Sequence, residues 1–420
     1  MSWARRQRGS SFSRPVQARS LKGFDSTGGK QWTRGKRRLS WGLLPIALEV
    51  RLLVAFAVET YPVPMHQKLY QLGPIALKNR IVMAPMTRCR AIGNTPNSLM
   101  AEYYTQRAGA GLIVTEGTAP SKNGLGYARI PGLFSEEQVD GWRGVTNAVH
   151  KAGGRIVVQL MHTGRVSHLS NMPDGAEVLG PSIEICPGEM YTDGAGPQKH
   201  SAPRVMNEAD IQQAIEEFVS ASKNALRAGF DGVELHAANG YLIEQFLNAN
   251  VNRRHDNYGG SIENRNRFAV AVAKATSAAI GADRVGIRLS PHGAFNGTGG
   301  YADVDAQYLA LTNELSKIGL LYVHLVDHSS MGAPTVPDEL KQAIRKAFGG
   351  SLILSGGFAH DTADAALLAS KGDLVALARP FLANPDLLVR WEKGAELNAP
   401  DPATFYTPGP KGYTDYPTLG

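Results

Sequence analysis

Cysteine is scarce in this chain: Cys89 and Cys186 are the only two in 420 residues, and they form no CxxC pair. That excludes a disulfide framework and fits a reducing compartment. A membrane span is lacking as well, because the apolar stretch from Trp41 to Val58 is broken by Glu49 and Arg51. Acidic residues are missing from the first 24 positions, which are rich in Arg and Ser.

The charge is correspondingly uneven. Residues 1–60 hold twelve Lys/Arg against three Asp/Glu, whereas the remaining 360 hold 32 against 34. The basic balance of +7 therefore belongs to the extension and is poor support for nucleic-acid binding. Residues 1–64 read as a basic extension that is disordered, a mitochondrial transit peptide, or the product of a misassigned start; residues 65–420 read as one domain.

Within that domain, apolar runs punctuated by glycine give eight strands, each followed by a helical pattern. The strands are Arg80 to Ala84, Leu112 to Glu116, Arg155 to Leu160, Asp231 to His236, Val285 to Leu289, Leu321 to Val326, Leu352 to Ser355 and Leu374 to Ala378. Between them, Ile211, Ile215, Phe218, Val219 and Leu226 share one face of a helix over 207–228 that Gly229 ends. Ser135 with Gln138 reads as a capping box, and Asp361 as another helix start. This alternation predicts an α/β fold, a (β/α)8 TIM barrel with a capping excursion after the third strand. A doubly wound sheet stays open as the alternative, since a sequence does not show closure.

In a TIM barrel the chemistry sits where the strands end. Those positions hold Pro85, Met86 and Thr87 after the first strand, Gly117 and Thr118 after the second, and Gln159 in the third. His236 and Asn239 follow the fourth, the fifth carries Arg288, the seventh ends in Gly356-Gly357 and the eighth in Ala378-Arg379. Loops after strands seven and eight often build a phosphate site, for which two glycines permit close backbone approach and Arg379 supplies a bidentate cation. Few carboxylates occupy these positions, which argues against a metal-centred hydrolase. His324, Asp327 and His328 admit a metal reading, but local packing and hydrogen bonding account for them better.

The run from Gly229 to Tyr241 (GFDGVELHAANGY) concentrates three polar side chains at one strand end. His236 and Asn239 are equipped to grip a carbonyl oxygen, and Tyr241 to hold a transferable proton at neutral pH. Taken alone, the same residues could be a hydrogen-bonded core histidine and a packing aromatic.

Seven motifs in order resemble the Old Yellow Enzyme family: Asn79 to Arg88 (NRIVMAPMTR), Val114 to Thr118 (VTEGT), Val158 to Leu160 with His162 to Arg165, the His236/Asn239/Tyr241 run, Asn257 to Arg265 (NYGGSIENR), Gly286 to Pro291 (GIRLSP) and Arg379 to Pro385 (RPFLANP). The resemblance implies an FMN-dependent ene-reductase fed by NADPH or NADH, acting on the C=C bond of α,β-unsaturated carbonyl, nitroalkene or maleimide compounds. It implies that Pro85, Met86, Thr87, Gly117, Gln159 and Arg288 surround the flavin, and that Gly356, Gly357, Ala378 and Arg379 take the FMN phosphate. His236 and Asn239 would bind substrate and Tyr241 would protonate it, while Tyr127, Met161 and Tyr406 would line the substrate pocket.

Thr87 and Asn239 point to the branch that includes the N-ethylmaleimide reductases. Met161 stands where relatives commonly place a tryptophan, and Ala378 where they place a glycine, so alkene size and facial preference do not carry over. Met65 to Gly73 resembles the usual start of the family. Alternative activities are a nitrate-ester or nitroaromatic reductase and an FMN-bound isomerase. Small-molecule substrates, no nucleic acid, no membrane and a cytoplasmic location are expected, mitochondrial if the extension is a transit peptide; homo-oligomerisation stays open. The Gly- and Pro-rich segment 161–206 is expected to fold as a cap with some strand content.

Overall fold

The computed structural model describes residues 63–420, so the readings of the basic extension fall almost entirely outside the described residues. Eight parallel strands close into a barrel: β1 (Ile81–Met83), β2 (Leu112–Val114), β3 (Ile156–Leu160), β4 (Gly232–Ala237), β5 (Val285–Leu289), β6 (Tyr322–Val326), β7 (Ser351–Ser355) and β8 (Leu374–Leu377). Closure is made by β8 on β1, with Val375 opposite Ile81 and Leu377 opposite Met83. The doubly wound alternative is thereby set aside.

Period-two alternation divides each strand. Ile81, Ile113, Val158, Leu235, Ile287, Val323, Leu352 and Val375 pack outward into the layer shared with the helices. Val82, Val114, Val157, Tyr322, Ile353 and Ala376 form a separate inner cluster. Tyr322 fits inside because its neighbour on β5 is Gly286; any side chain there would overlap the tyrosine ring. An antiparallel hairpin, Tyr70–Leu72 with Ile75–Leu77, joins this inner cluster through Leu72, Ile75 and Leu77.

The helices begin where local chemistry directs. Helix α2 (Glu136–Lys151) is capped by Ser135, whose hydroxyl accepts from the Gln138 N–H while the Gln138 side chain accepts from the Ser135 N–H, both at 3.2 Å. Helix α3 (Glu208–Arg227) carries a second box of this kind, Asn207 with Asp210, which the sequence reading passed over. Such a cap contributes about 1 kcal/mol. Beyond α3, Gly229 at φ +87 takes the left-handed turn that leads into β4. Of the apolar face foreseen for this helix, Ile211, Ile215 and Phe218 are buried while Val219 and Leu226 stay partly exposed; Ile211 and Phe218, fully buried, are each worth about 1.5–3 kcal/mol of transfer free energy. One helix start needs correction: α8 (His360–Leu368) is preceded by Ala359, and the Thr362 hydroxyl, not Asp361, accepts the Ala359 N–H.

Residues between β3 and β4 fold as the expected cap. Leu179–Gly180 pairs with Arg204–Val205, and Glu189–Thr192 forms an antiparallel hairpin with Gly196–Lys199. Cys186 and Met190 of this cap pack in one apolar cluster with Leu125, Ile130, Met161 and Tyr241. Both cysteines are free thiols. Among the described residues, no helix is long and apolar enough to cross a membrane.

Candidate active site

A cleft of about 620 Å³ opens at the C-terminal ends of the barrel strands. Its walls include Pro85, Met86, Thr87, Tyr127, Asn239, Tyr241, Arg288, Gly356, Gly357, Ala378, Arg379 and Tyr406. Twelve of the sixteen site residues expected from the sequence thus share one cavity. The other four, Gly117, Gln159, Met161 and His236, are buried beside it, and the Met161 side chain lies directly over the bare Cα of Gly117.

The turn after β4 shapes the reactive end. Asn239 (φ +60) and Gly240 (φ +78) are both left-handed, which reverses the chain so that Tyr241 begins the short helix α4 (Leu242–Leu247). Asparagine and glycine are the residues that tolerate this conformation. The reversal brings the Tyr241 ring edge-on to His236, centroids 4.8 Å apart, and sets its hydroxyl 3.1 Å from that of Tyr127.

Buried Glu244 holds the turn in place. Its carboxylate accepts the Gly240 N–H at 2.5 Å, the Ser290 hydroxyl at 2.9 Å and the Tyr308 hydroxyl at 3.0 Å. Ser290 in turn accepts the Asn239 N–H at 2.9 Å. Burial pushes the Glu244 carboxyl up to about 7. The sequence reading missed this residue, although an acidic side chain inside the otherwise mostly apolar run LIEQFL was the available signal.

Protonation follows from burial. The Ala238 N–H donates to His236 Nδ1 at 3.3 Å, which assigns the ring proton to Nε2. Burial, reinforced by the Arg288 charge, lowers His236 to about 3, so the ring is neutral and Nε2–H is a donor. Burial raises the Tyr241 phenol to about 12 against the opposing hydrogen bond from Tyr127, keeping it protonated at neutral pH.

Beneath the cleft, inward-facing positions of four consecutive strands form a polar layer. Glu234 accepts from Gln159 Nε2 and from His324 Nδ1, each at 2.8 Å, and Arg288 donates to His324 Nε2 at 2.7 Å. Strand register makes the chain continuous: Gln159 lies opposite Glu234, and Arg288 opposite both His236 and His324. Burial and the Arg288 charge lower His324 to about 4, so it links the cation and the carboxylate as a neutral ring. Burial lowers Arg288 to about 10, which still leaves it cationic at neutral pH.

The sequence reading described the site as poor in carboxylates. That holds for the cleft surface, but Glu116, Glu234 and Glu244 are buried nearby, which reading the strand ends alone did not reveal. The three candidate metal residues of β6 part company. His324 belongs to the polar layer, Asp327 pairs with Lys341 at 2.8 Å, and His328 packs edge-on against Phe295. These contacts match the local-packing reading.

The cavity fits a flavin mononucleotide. At one end the Arg288 Nε is buried without a hydrogen-bond partner among the described residues, ready for an acceptor, and at the other Gly356 (φ +140) and Gly357 (φ +67) stand beside Arg379. A Cβ on Gly356 would strike the Asp327 carbonyl, so close packing against the end of β6 requires glycine at this turn in the cleft wall.

Comparison with known proteins agrees with this geometry. Residues 69–398 match the model of the NADH:flavin oxidoreductase / NADH oxidase family. The chain is 42% identical over 359 residues to 12-oxophytodienoate reductase 1 of Oryza sativa subsp. japonica, covering 83% of this chain and 92% of that protein. It is 38% identical over 354 residues to 12-oxophytodienoate reductase 2 of Arabidopsis thaliana, covering 83% and 94%. Among solved structures, morphinone reductase superposes with a TM-score of 0.82 at 42% identity, covering 86% of this chain and 98% of that one. The old yellow enzyme homologue from Zymomonas mobilis gives 0.80 at 38%, covering 85% and 100%. The chain belongs to the Old Yellow Enzyme family of FMN-dependent, NAD(P)H-oxidising flavin oxidoreductases.

Proposed function

We propose that this protein is an ene-reductase that saturates the C=C bond of α,β-unsaturated carbonyl compounds. When bound, FMN supplies the redox chemistry, taking a hydride equivalent from NAD(P)H and returning one to the alkene. Pro85, Met86, Thr87, Gly117 and Gln159 would hold it, with Arg288 placing a fixed cation where negative charge accumulates on reduction. Gly356, Gly357, Ala378 and Arg379 would take its phosphate.

The observation that carries the reading is the pairing of a neutral His236 donor with a protonated Tyr241 at one end of the cleft. His236 Nε2–H and the Asn239 amide would bind the substrate carbonyl oxygen and stabilise enolate character as it develops. Tyr241 would then give its proton to the α carbon, opposite the face that receives hydride. Tyr127, Met161 and Tyr406 would bound the alkene. Reductant and alkene would use this cleft in turn, giving ping-pong kinetics. A phenol poised to donate favours net reduction over isomerisation.

Replacing Tyr241 with phenylalanine tests the assignment. Reduction of the bound flavin by NADPH should proceed at the wild-type rate, while turnover of cyclohexenone should fall by roughly 100-fold or more. Equal loss of both half-reactions would sink it.

A further inference from the structure

We propose that His66, His360 and Asp364 form a site for one zinc-like divalent cation, outside the cleft, joining the turn before the barrel to the helix that follows Gly356-Gly357. One ligand atom from each of the three lies within 4.8 Å of the other two. His360 and Asp364 are four residues apart on α8 and so share a face. His66 comes from the 3₁₀ turn Met65–Gln67, and its side chain is buried.

The geometry is close to what a tetrahedral ion needs. Donors on a zinc ion at about 2.0–2.2 Å stand roughly 3.3–3.5 Å from one another. His66 Nδ1 and Asp364 Oδ1 are 2.9 Å apart and would part slightly, while the widest gap, within 4.8 Å, closes by about 1.5 Å at most through movement of the two partly exposed helix side chains. The rings are also pre-arranged: His360 stacks on Trp391 at 4.8 Å and 21°, and His66 stands edge-on to His360 at 4.9 Å and 85°. Asp364 Oδ1 additionally accepts the His66 backbone N–H at 2.8 Å, which aims the carboxylate.

A hydrogen-bonded anchor between His66 and Asp364 explains those two residues without a metal. It leaves His360 only its stacking on Trp391, with no hydrogen bond to its ring among the described residues. Two imidazoles and one carboxylate, with a fourth position left for water, suit Zn²⁺ and similar first-row ions, whereas Mg²⁺ and Ca²⁺ take all-oxygen sets. The ion would also pin α8, and with it the glycine turn in the cleft wall.

Flavin-loaded protein, stripped with a chelator and then freed of it, should be titrated with ZnCl₂ against a zinc indicator. One equivalent should bind to the wild type, and at least tenfold more weakly to His360→Ala and to Asp364→Asn. A matched concentration of MgCl₂ should not compete, and X-ray absorption of the zinc-loaded protein should show nitrogen and oxygen ligands without sulfur. Wild-type affinity in His360→Ala, a sulfur ligand, or no bound equivalent in the wild type overturns the proposal. His360 is partly exposed, and unchanged flavin content in that variant confirms that it folds.

Discussion

The hydroxyls of Tyr127 and Tyr241 lie 3.1 Å apart, one from the loop after β2 and the other from the turn after β4. Burial raises Tyr241, while this hydrogen bond acts the other way and eases loss of its proton. Tyr127→Phe should therefore make Tyr241 a weaker acid. We expect a loss of up to about tenfold in the alkene half-reaction, smaller than that of Tyr241→Phe, with flavin reduction unchanged. Stopped-flow measurement of the two half-reactions distinguishes the outcomes.

Glu234 and Arg288 are joined through a neutral His324, so the carboxylate partly offsets the cation at the cleft floor. Glu234→Gln keeps the shape and removes the charge. The flavin midpoint potential should rise, because negative charge on reduction then meets a less compensated Arg288. Folding stability should fall by about 3 kcal/mol, because the buried cation loses its counter-charge. A spectroelectrochemical titration and a denaturant titration read the two effects.

Glu244 should be structural in stability and functional in consequence. Glu244→Leu leaves the Gly240 N–H and the Ser290 and Tyr308 hydroxyls without their acceptor, at about 1–3 kcal/mol for each group left unpaired. The Asn239–Gly240 reversal would loosen, and KM for the alkene should rise more than KM for NADPH. Glu244→Gln, which retains an acceptor oxygen, should recover most of both losses.

His162 offers a clean test of pH linkage. Burial lowers its imidazole to about 3, whereas the unfolded chain titrates near the ordinary 6.5. Above pH 6.5 neither state binds the proton. Below it only the unfolded state does, so stability is lost as pH falls, by about 1.4 kcal/mol per unit until the folded value is reached. The drop in unfolding free energy between pH 6.5 and 5.5, where the unfolded imidazole is only part-way through its titration, should be smaller by about 1 kcal/mol in His162→Gln. An unchanged drop would assign the proton uptake to other buried histidines.

Much of the fold was legible because its signals are local. The eight apolar runs, the Ser135–Gln138 box and Gly229 after α3 each depend on residues a few positions apart. Asp361 misled because an acidic residue ahead of an Ala/Leu-rich stretch suits a cap or a first turn equally, and the Thr362 hydroxyl took the bond. The Asn207–Asp210 box was overlooked for a related reason, since an aspartate at its third helical position does the work usually credited to Glu or Gln.

By itself the sequence determined the strand count, the polar residues at the strand ends, and the family through motifs in fixed order. It could do so because strand alternation and turn chemistry are set by neighbours along the chain. Only the tertiary structure decided closure of β8 on β1, and with it the layer in which Gln159, Glu234, Arg288 and His324 meet. It alone decided that Glu244 fixes the turn below Tyr241, that Tyr127 reaches the Tyr241 hydroxyl, and that His66 comes to rest beside His360 and Asp364. Charge state is set by burial and by partners from distant segments, and those are properties of the folded barrel.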